Sequence, residues 1–439
     1  MRFCLTLLFS CVLLLCKAQL VAGPMLGQLE LRTASIWLEV ALGVKAVALR
    51  YGVKGALQKT QSYKGELGKE FNPIRIDLGG LEPNTTYAYT IIIDGKSIPG
   101  GSFTTKELWQ WRKPAPDFSF VTGSCNYVNN PVYDRPGKPY GADSSIFQAM
   151  AKEKSAFMLW LGDNWYTREV DYAAPWGLWA RASRDRSQPV LQPFLKAMAH
   201  YANWDDHDYG PNDVGGNYIL KEEARKVFQS YWANPSYGMK GEGIYTQFSW
   251  SDVDFFVTDD RWWRAADNLP DSVDGKPNPE KTFLGKEQLQ WLKNALAYSS
   301  ATFKIIVVGS QVLNPVLDNE SLHDYPAEYN ELVQFITSNK IKGVLFLSGD
   351  HHHSEIIKIN RQGTYPLYDI TVSPLTSGLR AFAGPEVNNP YRVAGFDHIQ
   401  NYGRFSFSGP AGQRKLTVSF HDPKGTQIME WQISENELR

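Results

Sequence analysis

Five short segments of this chain concentrate the side chains that can bind cations or move protons. Thr122-Gly-Ser-Cys125-Asn126 carries a thiol, and Gly162-Asp163-Asn-Trp-Tyr166 a carboxylate and a phenol. Asn203-Trp-Asp205-Asp206-His207-Asp208 is an acidic cluster around an imidazole, and Thr258-Asp259-Asp260-Arg261 sets a guanidinium beside two carboxylates. The last, Ser348-Gly349-Asp350-His351-His352-His353, joins a carboxylate to three imidazoles. Asp163, Asp206 and Asp350, with a thiolate from Cys125, a phenolate from Tyr166 and an imidazole from His207 or His352, can hold two cations bridged by one shared carboxylate. Such a pair can turn water into a nucleophile and stabilise the opposing oxygens of an in-line displacement at phosphorus. Adjacent side chains of an extended segment cannot all face one ion, so His352 is preferred and His351 and His353 are its neighbours. Each residue also has a plain structural use: an Asp after a strand caps the next turn, a buried Cys packs, and Tyr166 fills a core. No Cys-x-x-Cys or His-Glu-x-x-His occurs, which argues against a structural zinc site and a zincin.

These segments need strand ends beneath them. The runs 118–121, 157–161, 255–257, 305–308 and 344–347 are almost wholly apolar, as strands buried on both faces of an α/β layer are. Four of the five candidate segments follow one of these runs, and strand C-termini are where layered α/β folds collect ligands. Helices are expected over 144–154, 221–232, 285–299 and 327–339, and closing strands over 404–408 and 415–420. Residues 20–106 alternate apolar and polar instead, and form a separate β-rich domain. Within it, Leu81-Glu-Pro83-Asn-Thr85-Thr-Tyr87 resembles the tyrosine corner of immunoglobulin and fibronectin III-like sandwiches. A Trp- and Pro-rich linker over 108–116 leads to a second domain over 117–439.

Composition sets outer limits. The 439 residues carry 45 Lys and Arg against 46 Asp and Glu, which excludes the basic field of a general nucleic-acid binder. With 14 Trp, 22 Tyr and 22 Phe, the chain is not disordered. Residues 1–18 combine a positive start, an apolar run from Phe3 to Leu15 and a small residue at Ala18, the pattern of a cleaved signal peptide. The run is shorter than a transmembrane helix. A lipid anchor at Cys16 is disfavoured by the three leucines before it. Cleavage would remove Cys4, Cys11 and Cys16 and leave Cys125 as one thiol in a secreted or periplasmic protein, with no internal disulfide. Asn84-Thr-Thr86 and Asn319-Glu-Ser321 are glycosylation sequons.

In this order the motifs resemble those of the PhoD-like metallophosphatases, the alkaline phosphatase D family of phosphomonoesterases and phosphodiesterases. The resemblance extends to Gly285-Lys-Glu-Gln288 with Trp291 and to Ser373-Pro-Leu-Thr-Ser377. It implies a metallophosphatase-type two-sheet α/β sandwich flanked by helices, preceded by the β-sandwich. It implies Fe³⁺ held by Cys125, Asp163, Tyr166 and His352, and Ca²⁺ held by Asp163, Asp206 and Asp350. Asp205 and Asp208 match the acidic cluster equally well. His207 would stand at the leaving-group oxygen. Arg261 and Arg264 would clamp phosphate, or else form ion pairs with Asp259 and Asp260. The implied substrate is a small phosphate ester, and a monomer is expected. Some positions depart from the family: Arg2 stands alone where members carry twin arginines, implying metal loading after Sec-type export, and Asn126 and Asn164 replace commoner residues. A purple acid phosphatase shares Gly-Asp-x-x-Tyr but would want His at position 350 and Asp at 125. An exported binding protein with a decayed catalytic domain is the alternative from another class, and no ligand position is erased.

Overall fold

A computed structural model describes residues 19–53, 56–316 and 320–439. The expected leader, with three of the four cysteines, and the sequon at Asn319 lie outside the described residues. The chain divides into two compact units: one runs to Leu108 and takes in Ala182–His200 and Ser230–Ala233, and the other comprises Trp109–Arg181, Tyr201–Gln229 and Asn234–Arg439.

In the first unit, Leu20–Leu29, Thr33–Val40 and Asn72–Gly79 pair antiparallel. Lys59–Ser62, Val47–Val53, Thr86–Ile93 and Lys96–Thr104 form a second antiparallel sheet. Every second residue of Thr86–Ile93 is buried, as the alternation predicts. The Tyr87 hydroxyl accepts from the Glu82 backbone N–H at 2.9 Å, the hydrogen bond of a tyrosine corner. Later segments join this unit through polar tethers. Gly23 N–H donates to Gln192 Oε1 at 2.8 Å, Trp37 Nε1 donates to the Ser230 carbonyl at 2.7 Å, and Arg186 lies 3.8 Å over the Trp232 ring.

The second unit is a two-sheet sandwich. One sheet runs Gln427–Ser434, Lys415–His421, Tyr402–Ser408, Phe118–Gly123, Phe157–Leu161. The other runs Thr246–Trp250, Val253–Val257, Phe303–Val307, Val344–Ser348, Leu367–Thr371, Ser354–Ile359, Arg392–Phe396. Aromatic rings lock the two sheets together: Phe120 meets Phe255 edge-on at 5.3 Å, and Phe157 meets it at 5.4 Å. Helices Lys286–Tyr298 and Pro326–Ser338 cover the sandwich, burying Leu289, Leu292 and Leu296 on the first and Leu332 and Ile336 on the second. The central strands Phe157–Leu161, Phe303–Val307 and Val344–Ser348 are buried at every residue, which is why they are almost wholly apolar.

Register sets where the chemistry falls. Val257 lies opposite Val307, and Val307 opposite Leu347, so three parallel strands end in one row. In the other sheet Gly123 lies opposite Trp160, so the loops from 124 and from 162 start side by side.

Two local expectations are corrected. The helix expected over 144–154 is only Ile146–Met150, because Ala156 N–H must reach the Ser119 carbonyl at 2.7 Å to start the next strand. The unanticipated helix Pro175–Arg186 hides its periodicity behind a buried cation: Arg181 faces inward, paired with Asp171 at 2.7 Å.

Candidate metal centre

The strand-end loops fold back tightly. Cys125, Asp163, Asp350 and His352 all have left-handed backbones, with φ of 61°, 52°, 66° and 57°. Non-glycine residues rarely adopt this conformation, and it tends to cluster where a fold holds side chains for chemistry. Cross-loop hydrogen bonds hold it in place: Cys125 N–H to the Gly162 carbonyl at 3.3 Å, and Asn126 N–H to the Asp163 carbonyl at 2.8 Å. Glycine is required beside them. A Cβ on Gly349 would lie 2.5 Å from Ser124 Cβ and 2.9 Å from the Leu161 carbonyl oxygen.

Two donor groups result. Ligand atoms of Cys125, Asp163 and His352 lie within 4.8 Å of one another, as do those of Asp163, Asp206 and His207. Asp163 belongs to both. Around the first group, Tyr166 Oη lies 3.4 Å from His352 Nε2, and Cys125 Sγ lies 3.6 Å from Asp163 Oδ2. His352 Nδ1 is 2.6 Å from the Gly378 carbonyl, which can only accept, so the proton sits on Nδ1 and the Nε2 lone pair faces the group. Burial, then the charges of Asp163 and Asp350, pushes the Cys125 thiol far up. Burial does the same to Tyr166 and, with Asp206 and Asp208, to Asp163.

The acidic cluster separates into three roles. Asp205 caps the short helix Asp206–Tyr209 and contacts Arg261. Asp208 accepts from the backbone N–H groups of Asn164 and Asp205 at 2.9 and 3.1 Å, tying two loops together. Only Asp206 turns toward Asp163 and His207. Burial opposes its ionisation, but His207 and then Arg261 hold it down at about 2. Asp350 is in neither three-residue group, although its carboxyl is pushed up by burial and then by Glu320, Asp206 and Asp163.

Arg261 is fully buried. It faces Asp205, Glu320 at 3.0 Å and Asp206 at 3.9 Å. Burial opposes its charge, yet those three carboxylates keep it firmly protonated. Asp259 and Asp260 are otherwise engaged, Asp259 with the indole of Trp204 at 2.9 Å and Asp260 with Ser310 N–H at 2.8 Å. Arg264 pairs with Asp267 at 2.8 Å. Glu320 stands in the sequence only as the middle residue of a glycosylation sequon, which says nothing of a metal centre. Ser373 and Ser377 do lie in a noted motif, but their contacts were not readable there: Ser373 Oγ is 3.2 Å from Cys125 Sγ, and Ser377 Oγ 2.8 Å from His352 Nδ1.

The residues fit cations of two kinds. A thiol, a phenol and an imidazole beside a carboxylate suit a transition metal, while clustered carboxylates suit a hard one. Asp350 Oδ2 is buried with no hydrogen-bond partner among the described residues, as a carboxylate oxygen aimed at a cation would be.

Comparison with known proteins follows the same line. Residues 120–383 match the family model of PhoD-like phosphatases, and residues 17–102 match a domain of unknown function, DUF7800. Alkaline phosphatase D of Bacillus subtilis (strain 168) is 26% identical over 331 residues, covering 64% of this chain and 53% of that protein. The chain thus spans about half the length of that curated relative. A solved structure of PhoD superposes with a TM-score of 0.77 at 19% identity, covering 96% of this chain and 92% of that one. The yellow lupin (Lupinus luteus) purple acid phosphatase PPD1 gives 0.67 at 12%, covering 94% and 74%. At such identities the two structures attest the two-sheet fold alone, while the family match spans more than half of the sequence. The chain belongs to the PhoD-like phosphatase family.

Proposed function

We propose that this chain is an exported, metal-dependent phosphoesterase that hydrolyses phosphomonoesters, phosphodiesters or both. The observation that carries the proposal is Asp163, one carboxylate common to two donor groups. Cys125, Asp163, Tyr166 and His352 would hold Fe³⁺, and Asp163, Asp206 and Asp350 would hold Ca²⁺. When bound, the ions supply Lewis acidity and a nucleophile drawn from water. The protein's own groups do the positioning. Gly378 keeps His352 in the tautomer a metal needs. Arg261 balances the carboxylates on one side. The His207 ring lies 4.1 Å from that of Tyr166 and keeps a fifth of its surface open, so it can donate a hydrogen bond to the leaving oxygen.

The catalytic domain in this reading is 117–439, with 20–106 as its N-terminal sandwich. Export rests on residues 1–18, and N-terminal sequencing of secreted protein starting at Gln19 would support it. No helix among the described residues is long and apolar enough to cross a membrane. The decisive test is metal analysis of purified protein with parallel assay of p-nitrophenyl phosphate and bis-p-nitrophenyl phosphate. Hydrolysis lost on chelation and regained on metal addition supports the proposal, and a visible thiolate- or phenolate-to-iron band supports the iron assignment. A metal-loaded protein that cleaves neither ester sinks the reading; a colourless, iron-free, active enzyme sinks the iron assignment.

A further inference from the structure

A cavity of about 310 Å³ opens directly beside the donor groups, with Tyr166 and His207 in its wall. Three further tyrosines, Tyr127, Tyr140 and Tyr172, line it among charged and polar side chains. Tyr127, Tyr140 and Tyr166 form a connected set. Tyr127 lies 4.9 Å from Tyr140 and 5.0 Å from Tyr166, and Tyr140 lies 5.9 Å from His352. Tyr140 is half exposed, so a ring surface is open to a ligand.

The Tyr127 wall is fixed before anything binds. Arg168 is buried, lies 4.0 Å over the Tyr127 ring and pairs with Asp134 at 2.9 Å. Asp134 in turn accepts from the Tyr127 hydroxyl at 2.8 Å. Arg135 pairs with Glu169 at 3.3 Å. These pairs neutralise Asp134, Arg135, Arg168 and Glu169 within the wall, and its remaining charged side chain, Lys138, is exposed to solvent. Rigid, preformed aromatic faces lower the entropy cost of binding a flat group.

We infer that this cavity seats an aromatic ring on the alcohol arm of the ester, so the substrate class is phosphate esters of ring-bearing alcohols. The inference rests on the phosphoesterase reading and deepens it. A phosphate held by cations at Asp163 and Asp206 would have its organic arm beside His207 and Tyr166, at the mouth of the cavity. An alkyl arm could enter, but it would forgo the offset and edge-on ring contacts that the tyrosines offer. Each such contact favours the aromatic arm by roughly two- to tenfold.

The test holds leaving-group basicity nearly constant and varies the ring. Metal-loaded enzyme is assayed with benzyl and n-butyl phosphate and with the dibenzyl and dibutyl diesters. The expected wild-type preference in kcat/KM for the benzyl ester is about tenfold. Tyr172→Ala and Tyr140→Leu should each bring that ratio toward one. Hydrolysis without preference, or a ratio that both variants leave intact, overturns the inference and leaves the phosphoesterase reading standing. If no ester is cleaved, that reading fails, and equilibrium binding of benzylphosphonate against butylphosphonate decides the cavity separately. Tighter benzylphosphonate binding that is lost in Tyr172→Ala supports the ring site, and equal binding overturns it.

Discussion

Replacing Arg261 by Met separates a buried counter-ion from a phosphate clamp. The guanidinium is fully buried with Glu320 at 3.0 Å and Asp205 in direct contact. At an effective dielectric of ~20, one charge pair at that separation attracts by about 5 kcal/mol before desolvation is counted. Desolvation offsets much of this in the intact cluster. Removing one partner alone, however, strands charges in a dry site and costs about 3–5 kcal/mol. That is a large share of the ~5–15 kcal/mol that holds a typical domain together. The assay is urea unfolding of chelator-treated Arg261→Met against wild type, followed by tryptophan fluorescence, with an expected midpoint shift of about 1–2 M. Adding Asp205→Asn should recover part of the loss, because one stranded charge disappears. A variant that unfolds within about 0.5 kcal/mol of wild type but shows a raised KM would refute the counter-ion argument and return Arg261 to the substrate.

Asp163→Asn should lower the content of both metals together and reduce turnover by more than ~10²-fold, since the loss of even an outer partner of a metal ligand costs ~10–100-fold; loss of only one metal would show that the carboxylate is not shared. Gly349→Ala should cost about 1–3 kcal/mol in thermal unfolding, because its Cβ would press on Ser124 and the Leu161 carbonyl. His200 is a pH probe that belongs to neither donor group: burial, then Arg186, pushes it down to about 3, while its imidazole lies 3.2 Å from the Phe194 carbonyl. The unfolded chain therefore binds a proton that the folded one refuses between about pH 6.5 and 3, so stability falls with pH across that window, by about 2 kcal/mol at pH 5. His200→Gln should flatten that limb, and an unchanged acid slope would refute the assignment.

Much of this protein is local, and so could be read along the chain. Strands such as Phe157–Leu161 and Val344–Ser348 are apolar because both faces are dry, a property every residue of the run reports by itself. The tyrosine corner was legible for the same reason, since Tyr87 and Glu82 are five residues apart. Donor types at the strand ends were legible too, because a cation selects atoms by chemistry before geometry. What tertiary structure decided was the sorting of equals. Asp205, Asp206 and Asp208 are alike in sequence, yet a capped helix turns one to Arg261, one to the centre and one to the backbone of a neighbouring loop. Arg261 meets Glu320 across 59 residues, and Ser373 meets Cys125 across 248. No periodicity encodes such pairings, because they depend on the register of strands that a linear pattern leaves free.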